Sequence, residues 1–461
     1  MVVFYEFFEF MHRYAFILGR VYTLSLAELL EVLKNSGFAY KVMACGPEVV
    51  VLELDQPLNP EKLQPRLGGV IKIIRLIDTF QKKGKEYPSQ VLGPYFTFKK
   101  INNDYFTPYT GKKQFGVSIY TLDPALRFRE EATRVAFLIK KILQEDALSV
   151  RAVIPLFPSQ ALSSVQVTEN QILAKGAEIV VVSGTQRVFI GKTISVQNYE
   201  DYGRRDYQRP ARDEKAGMIP PKVAQSMINL GGNFKPLDYV LDPFCGSGTI
   251  LQEATLLGLR VVGSDLDSKA IENSEKNLEW FRNRYHIAIG RYKLFQSDAA
   301  EISLQLPKFD IKAIITEGTL GPIYGQVPKK TEMAANFKML TKLYSQVFKE
   351  FAKFLQSGCR VVMCLPAYKL RASEYEYMPS IDFALTSGYT VVDPLPKDIA
   401  KKYKFLKITE RGSTVYDRKD QVVAREIIIF QYGKLQEELT ISNDKLSNND
   451  QVLIGNLELE N

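Results

Sequence analysis

Asp242-Pro243-Phe244-Cys245-Gly246-Ser247-Gly248-Thr249 joins an apolar run, Tyr239-Val240-Leu241, to a helical pattern that begins Ile250-Leu251-Gln252-Glu253-Ala254. Glycines in such a turn let backbone approach a ligand, because neither carries a Cβ. The helix start that follows offers unpaired N–H groups to a carboxylate or phosphate. A second run, Val261-Val262-Gly263-Ser264-Asp265-Leu266-Asp267, ends in a carboxylate able to accept from both hydroxyls of a ribose. A third acid, in Gln296-Ser297-Asp298-Ala299, follows Tyr292-Lys293-Leu294-Phe295 and suits an adenine amino group. A dinucleotide fingerprint needs G-x-G-x-x-G, and this turn has G-x-G alone. The spacing points instead to S-adenosylmethionine. Its candidate contacts are Asp242, Phe244, Cys245, Gly246, Gly248, Thr249, Asp265, Leu266, Asp298 and Ala299. An isolated D-x-x-x-G-x-G is more often an ordinary turn. Three acids closing successive strands weaken that alternative.

These residues need a scaffold of alternating strands and helices. About 217–432 supplies one, and the pattern predicts a doubly wound α/β sheet with the ligand at the carboxyl ends of its strands. A closing hairpin is expected between Phe405-Leu406-Lys407-Ile408 and Val422–Phe430. Ahead of it lie two α+β units. In residues 1–90, Tyr14–Leu18 and Val49–Leu54 read as strands, and Ser25, with Glu28 three residues on, reads as the N-cap of a helix that Gly37 ends. In residues 91–196, strands are expected at Phe115–Tyr120, Val150–Ile154, Glu178–Val182 and Arg187–Ile194, with an amphipathic helix over Arg134–Leu143. The polar stretch 197–216 reads as a linker, 217–435 as the catalytic unit, and 436–461 as a disordered tail.

Composition bounds the rest. The chain has 461 residues, 46% of them apolar and 24% charged, which is ordinary for a globular protein. A net charge of +8 is compatible with a polyanionic partner without demanding one. Four scattered cysteines and two histidines argue against a structural metal site and against histidine-centred acid–base chemistry, and they fit a reducing cytoplasm. Met1–Phe10 carries Glu6 and Glu9 and lacks a basic head, so it reads as neither signal peptide nor anchor, and no membrane association is expected.

DPFCGSGT resembles the cofactor motif of the THUMP-containing RNA methyltransferases, and most closely that of the tRNA guanosine N2-methyltransferases that modify the tenth nucleotide. Asp206-Tyr207-Gln208-Arg209-Pro210-Ala211-Arg212-Asp213 and Gly217-Met218-Ile219-Pro220-Pro221-Lys222-Val223-Ala224-Gln225 resemble the R-P-x-R-D and G-M-[LI]-P-P-K-x-A segments that precede that motif in the family. The resemblance spans most of 14–430 and is specific over 206–267. It implies a class I, Rossmann-like methyltransferase domain with a terminal antiparallel hairpin, preceded by a ferredoxin-like unit and a THUMP unit. It implies tRNA as partner, with the THUMP unit gripping the tRNA end. Such gripping needs cations along a groove, and Lys175, Arg187, Lys192, Arg204, Arg205, Arg209 and Arg212 are the candidates. Eukaryotic relatives use a small activating subunit. Without one, the chain is expected to act as a monomer.

One segment departs from the family. After the fourth strand, members carry Asp or Asn, two prolines and an aromatic residue. This chain has Thr316-Glu317-Gly318-Thr319-Leu320-Gly321-Pro322-Ile323-Tyr324. Methylating an exocyclic amine needs an acceptor for the amino hydrogens, and Glu317 supplies the oxygen on a longer stem. Tyr324, four residues beyond Leu320, stacks on an extruded base if the loop folds back. Loss of both prolines predicts a less rigid loop. No thiol lies in this loop, and Cys245 reads as packing within the cofactor turn, so methylation of pyrimidine carbon is disfavoured. Two alternatives stand beside tRNA guanine N2-methylation. One is a DNA amino-methyltransferase. The other is an RNA-binding protein whose altered loop leaves weak or redirected catalysis.

Overall fold

The computed structural model describes residues 12–83, 86–212, 218–288, 290–418 and 421–433. Met1–Phe10, the tail from 436, Asp213 and Gly217 therefore lie outside the described residues.

Two sheets account for the molecule. The first contains β1 (His12–Leu18), β2 (Tyr40–Cys45), β3 (Val49–Leu54), β4 (Val70–Gln81), β5 (Lys113–Thr121), β6 (Val150–Val153), β7 (Gly176–Ser183) and β8 (Arg187–Val196), in the order β2-β3-β1-β4-β8-β7-β5-β6. β4 is long, twelve residues, and pairs antiparallel with β8, so the two N-terminal α+β patterns share one continuous sheet. Its central strands are apolar throughout because both faces are covered: every residue of β3 and of β7 is buried.

The second sheet contains β9 (Tyr239–Asp242), β10 (Arg260–Asp265), β11 (Tyr292–Gln296), β12 (Ile311–Thr316), β13 (Arg360–Arg371), β14 (Glu374–Tyr377), β15 (Tyr389–Val391), β16 (Thr414–Tyr416) and β17 (Val423–Tyr432). The order is β11-β10-β9-β12-β13-β17-β15. The first five strands run parallel and β17 is antiparallel to both its neighbours. This is a doubly wound α/β sheet with an antiparallel finish, but the expected hairpin partner is wrong. Phe405–Ile408 is not a strand, and β17 inserts between β13 and β15 while pairing also with the short β16. Its apolar length, buried from Ala424 to Phe430, fills a central slot rather than an edge.

Two local expectations also change. The helix Tyr22–Asn35 starts before Ser25, whose hydroxyl donates back to the Val21 carbonyl at 3.1 Å instead of capping. The stretch 197–216 is not all linker, because Tyr199–Tyr207 is a helix. Asn198 caps it, accepting from the Asp201 amide, and Glu200 and Asp201 occupy its first turn.

The sheets are locked together at one seam. The helix Tyr22–Asn35 and the helix Pro221–Leu230 share a single apolar cluster that includes Leu26, Leu30, Met227 and Ile228. Glu28 is wholly buried there. Its Oε1 accepts from Gly68 N and Asn229 Nδ2, both at 2.8 Å, and its Oε2 accepts from Gly69 N at 2.7 Å. Burial pushes this carboxyl up to about 7. Gln225 and Asn229 donate to the carbonyls of Pro65 and Arg66, so the 65–69 segment is stitched to the catalytic unit through its backbone.

Candidate active site

β9, β10 and β12 lie side by side, and each ends on the same edge with an acid or the residue before one. Asp242 closes β9 and Asp265 closes β10, while Glu317 follows Thr316 at the end of β12. All three line one cleft of about 610 Å³, along with Phe244, Cys245, Gly246, Thr249, Asp267, Tyr324 and Arg425. A parallel sheet makes this arrangement, since neighbouring strands deliver their carboxyl ends to one crevice.

The glycine turn is built from its backbone angles. Gly246 and Gly248 have φ of +51° and +83°, values that residues with a Cβ rarely adopt. Gly248 caps the helix Thr249–Leu256. The Gly246 amide donates to Asp265 Oδ2 at 2.9 Å, and the Asp267 amide donates to Asp265 Oδ1 at 3.1 Å. Each oxygen keeps a second lone pair, so Asp265 is oriented and still able to accept from two hydroxyls. Asp242 is 2% exposed, accepts from Phe244 N at 3.2 Å and from the Thr316 hydroxyl at 2.7 Å, and is pushed up to about 7 by burial, with Asp265 and Glu317 adding repulsion. A cleft that gathers this many acids is chemically matched to a cationic sulfonium nucleoside, whose charge offsets their repulsion. The fit to S-adenosylmethionine therefore holds on the residues present.

Four cofactor candidates stand elsewhere. Gly248 acts through its cap rather than by lining the cleft. Leu266 is 70% exposed. Asp298 caps the short helix Ala299–Gln305 by accepting from Ala300 N at 2.8 Å, and Ala299 is buried in the core beneath it. Cys245 is buried with its Sγ 3.7 Å from the Ser274 hydroxyl, and burial holds its thiol well above the ordinary range, so it is packing and not a nucleophile.

The 317–324 loop is tied down despite lacking the paired prolines. Tyr344 donates to the Thr319 carbonyl at 2.5 Å and Asn336 to the Leu320 carbonyl at 3.1 Å, both from the helix Lys330–Phe351 beneath. Gly318 and Gly321 have φ of +66° and +91°. A Cβ on Gly321 would meet the Asn336 side chain at 2.2 Å. The expectation of a looser loop is thus corrected: side-chain hydrogen bonds from the helix do what proline rings do elsewhere. Tyr324 faces the same cleft as Glu317 and packs edge-on against Tyr368, with ring centroids 5.8 Å apart.

Sequence reasoning missed Arg425. It lies in the middle of β17, is 3% exposed, and its Nε donates to Glu317 Oε1 at 2.5 Å. The signal was present, since Arg425-Glu426 interrupts an otherwise apolar strand, and such a pair must be matched when buried. Glu426 is matched by Arg411, whose Nε donates to it at 2.7 Å.

The seven basic candidates divide. Arg187 and Arg212 are exposed, Arg212 lying 5.1 Å over the Tyr207 ring, while Lys175 and Arg204 are half-buried. Arg205, Arg209 and Lys192 are structural. Arg205 is 3% exposed and pairs with Glu253 at 2.7 Å and with Asp201. Arg209 is 3% exposed and donates to the Thr249 hydroxyl at 2.5 Å. Lys192 donates to the carbonyls of Asp104 and Tyr105 at 2.7 and 3.1 Å. A residue turned inward to such partners is not placed to meet phosphates.

Sheet order, glycine turn and acidic cleft together define a class I methyltransferase domain with S-adenosylmethionine as its cofactor. Residues 209–386 match the family model described as RMKL-like, methyltransferase domain, and this segment belongs to that family. The chain is 33% identical over 183 residues to the tRNA (guanine(10)-N2)-dimethyltransferase of Methanothermobacter thermautotrophicus, covering 40% of this chain and 48% of that protein. It is 30% identical over 175 residues to the enzyme of the same name from Methanocaldococcus jannaschii, covering 37% of this chain and 46% of that one. The chain thus spans about half the length of these curated relatives. The crystal structure of TrmN from Thermus thermophilus superposes with a TM-score of 0.51 at 16% identity, covering 91% of this chain and all of that one, which establishes a shared fold.

Proposed function

We propose that this protein methylates the exocyclic N2 amine of guanine in tRNA, on a base extruded into the cleft. The observation that carries the reading is the position of Glu317. It lines the same cleft as Gly246 and Asp265, so an acceptor for amino hydrogens faces the residues that hold the methyl donor. When bound, S-adenosylmethionine supplies an electrophilic methyl group. The chain's own residues do the remainder. Asp265 holds the ribose, the glycine turn lets backbone approach the amino acid end, Glu317 accepts the hydrogen that the amine sheds, and Tyr324 offers a ring to the base. The similarity to tRNA (guanine(10)-N2)-dimethyltransferases supports tRNA as substrate and guanine as target. The first sheet is proposed as a ferredoxin-like unit and a THUMP unit that grip the tRNA end. Among the described residues no helix is long and apolar enough to cross a membrane, and the protein is proposed to work in the cytoplasm, where tRNA is modified.

A second reading has one observation in its favour. Glu317 is already engaged by Arg425, as it would be in an RNA-binding protein whose cofactor fold has lost its chemistry. The test is transfer of labelled methyl from S-adenosylmethionine to unmodified tRNA, with duplex DNA in parallel. Label in tRNA alone supports the proposal. Label in DNA alone assigns an amino-methyltransferase of DNA, and tRNA binding without label assigns the second reading.

A further inference from the structure

Glu317 and Arg425 come from distant parts of the chain, 108 residues apart, and meet inside the cleft. β17 runs antiparallel to β13, with Arg425 opposite Pro366, and this register aims the guanidinium across β13 at the tip of β12. Arg425 is 3% exposed and Glu317 20% exposed, so the pair is largely shielded from water while still facing the substrate space. Arg425 Nη1 donates to Gln421 Oε1 at 2.9 Å, which fixes the plane of the fork.

We propose that Arg425 is a positioning residue for the transfer: it grips Oε1 of Glu317 so that the carboxylate stays ionised and presents its other oxygen to the substrate amine. The inference rests on the reading of Glu317 as the acceptor for the amine's hydrogens. A protonated carboxyl has one oxygen occupied by its own hydrogen and cannot take up the one that the amine releases. The surroundings push Glu317 towards that useless form. Burial raises its carboxyl, and Arg425 is the foremost group pulling it back, with Arg418 adding to this. The other titratable groups that face it are Asp242 at the end of β9, Tyr344 on the helix Lys330–Phe351 and Cys364 on β13. Among these Asp242 is the acid, and its charge opposes a second one nearby. Arg425 is thus the counter-charge that lets a longer acid work at this strand tip.

The test compares wild type with Arg425→Met, Arg425→Lys and the Arg425→Met/Glu317→Gln double variant, in two readouts. The first needs no activity: thermal unfolding from acid to mildly alkaline pH. Arg425→Met is expected to lose stability relative to wild type most at alkaline pH and to recover on acidification, as Glu317 takes up a proton. The double variant is expected to lose that pH dependence. A deficit of equal size at every pH overturns the proposal. The second readout is the pH profile of kcat for methyl transfer. In Arg425→Met its acidic limb is expected to move upward by a unit or more, giving at least about a tenfold loss near neutrality that shrinks at alkaline pH. Arg425→Lys is expected to keep most of the wild-type profile. A uniform loss at all pH values would mark a merely structural role. If Arg425→Met does not fold, Arg425→Gln against Arg425→Lys gives the same contrast. If wild type transfers no methyl group at all, the functional reading fails while the unfolding readout still decides whether Arg425 holds Glu317 ionised.

Discussion

Thr316 and Asp242 sit on adjacent parallel strands, and the Thr316 hydroxyl donates to Asp242 Oδ1 at 2.7 Å. The same hydroxyl accepts from the Gly318 amide at 3.2 Å. One side chain therefore connects the acid at the centre of the cofactor side to the loop that carries Glu317, and the two halves of the cleft share a common anchor.

The two halves are separable by substitution. Asp265→Ala removes the acceptor for the ribose hydroxyls and the partner of the Gly246 and Asp267 amides. Each hydrogen bond to a charged group contributes about 1.5–3 kcal/mol, so cofactor affinity by calorimetry should fall by at least about tenfold. Glu317→Gln should leave that affinity nearly unchanged and lower kcat by roughly 10²–10⁴. Unaltered cofactor binding in Asp265→Ala would remove this residue from the site.

Stability should fall as pH rises through neutrality. Asp242, Glu28 and Glu253 are each pushed by burial to about 7. A folded pKa above the unfolded value means a contribution present in acid and lost as pH climbs through the folded value. Melting temperature of the cofactor-free protein should therefore decline between about pH 5.5 and 8, and Asp242→Asn should flatten the slope. An identical slope in wild type and variant would contradict the assignment for Asp242.

The seam between the sheets should be intolerant of small changes. A Cβ on Gly68 would lie 2.1 Å from the Lys222 carbonyl oxygen, so Gly68→Ala must displace backbone. About 1–3 kcal/mol of destabilisation is expected. Glu28→Gln sets an amide donor against N–H donors that the carboxylate now accepts, at a cost of about 1–3 kcal/mol for a buried unsatisfied group. Chemical denaturation measures both.

What was readable in the sequence follows a physical division. Asp242, Gly246 and Asp265 were legible because a strand tip and a glycine turn impose local patterns. The doubly wound sheet was legible because buried parallel strands are apolar runs. The pairing of β17 was not, since it depends on partners tens of residues away, and neither was Arg425, whose role appears only when β17 is laid beside β13. Arg205 and Arg209 read as surface cations, because burial by Glu253 and by Thr249 is invisible to composition. The tied 317–324 loop was misjudged for the same reason: Tyr344 and Asn336 supply the rigidity from another element.

RNA binding should separate the basic residues that the fold has sorted. Affinity should fall steeply with salt, and Arg187→Ala and Arg204→Ala should each weaken binding and reduce the salt slope by about one. Arg205→Ala should instead destabilise the protein by about 3–5 kcal/mol, because Glu253 is left buried without its partner. Filter binding over a salt series, with unfolding in parallel, distinguishes these effects.

The most direct test is nucleoside mass spectrometry of unmodified tRNA incubated with the protein and isotopically labelled S-adenosylmethionine. Label on the exocyclic nitrogen of guanosine, lost in Glu317→Gln, is the result this account predicts. Label on a ring carbon, on another base, or undiminished in that variant would contradict it.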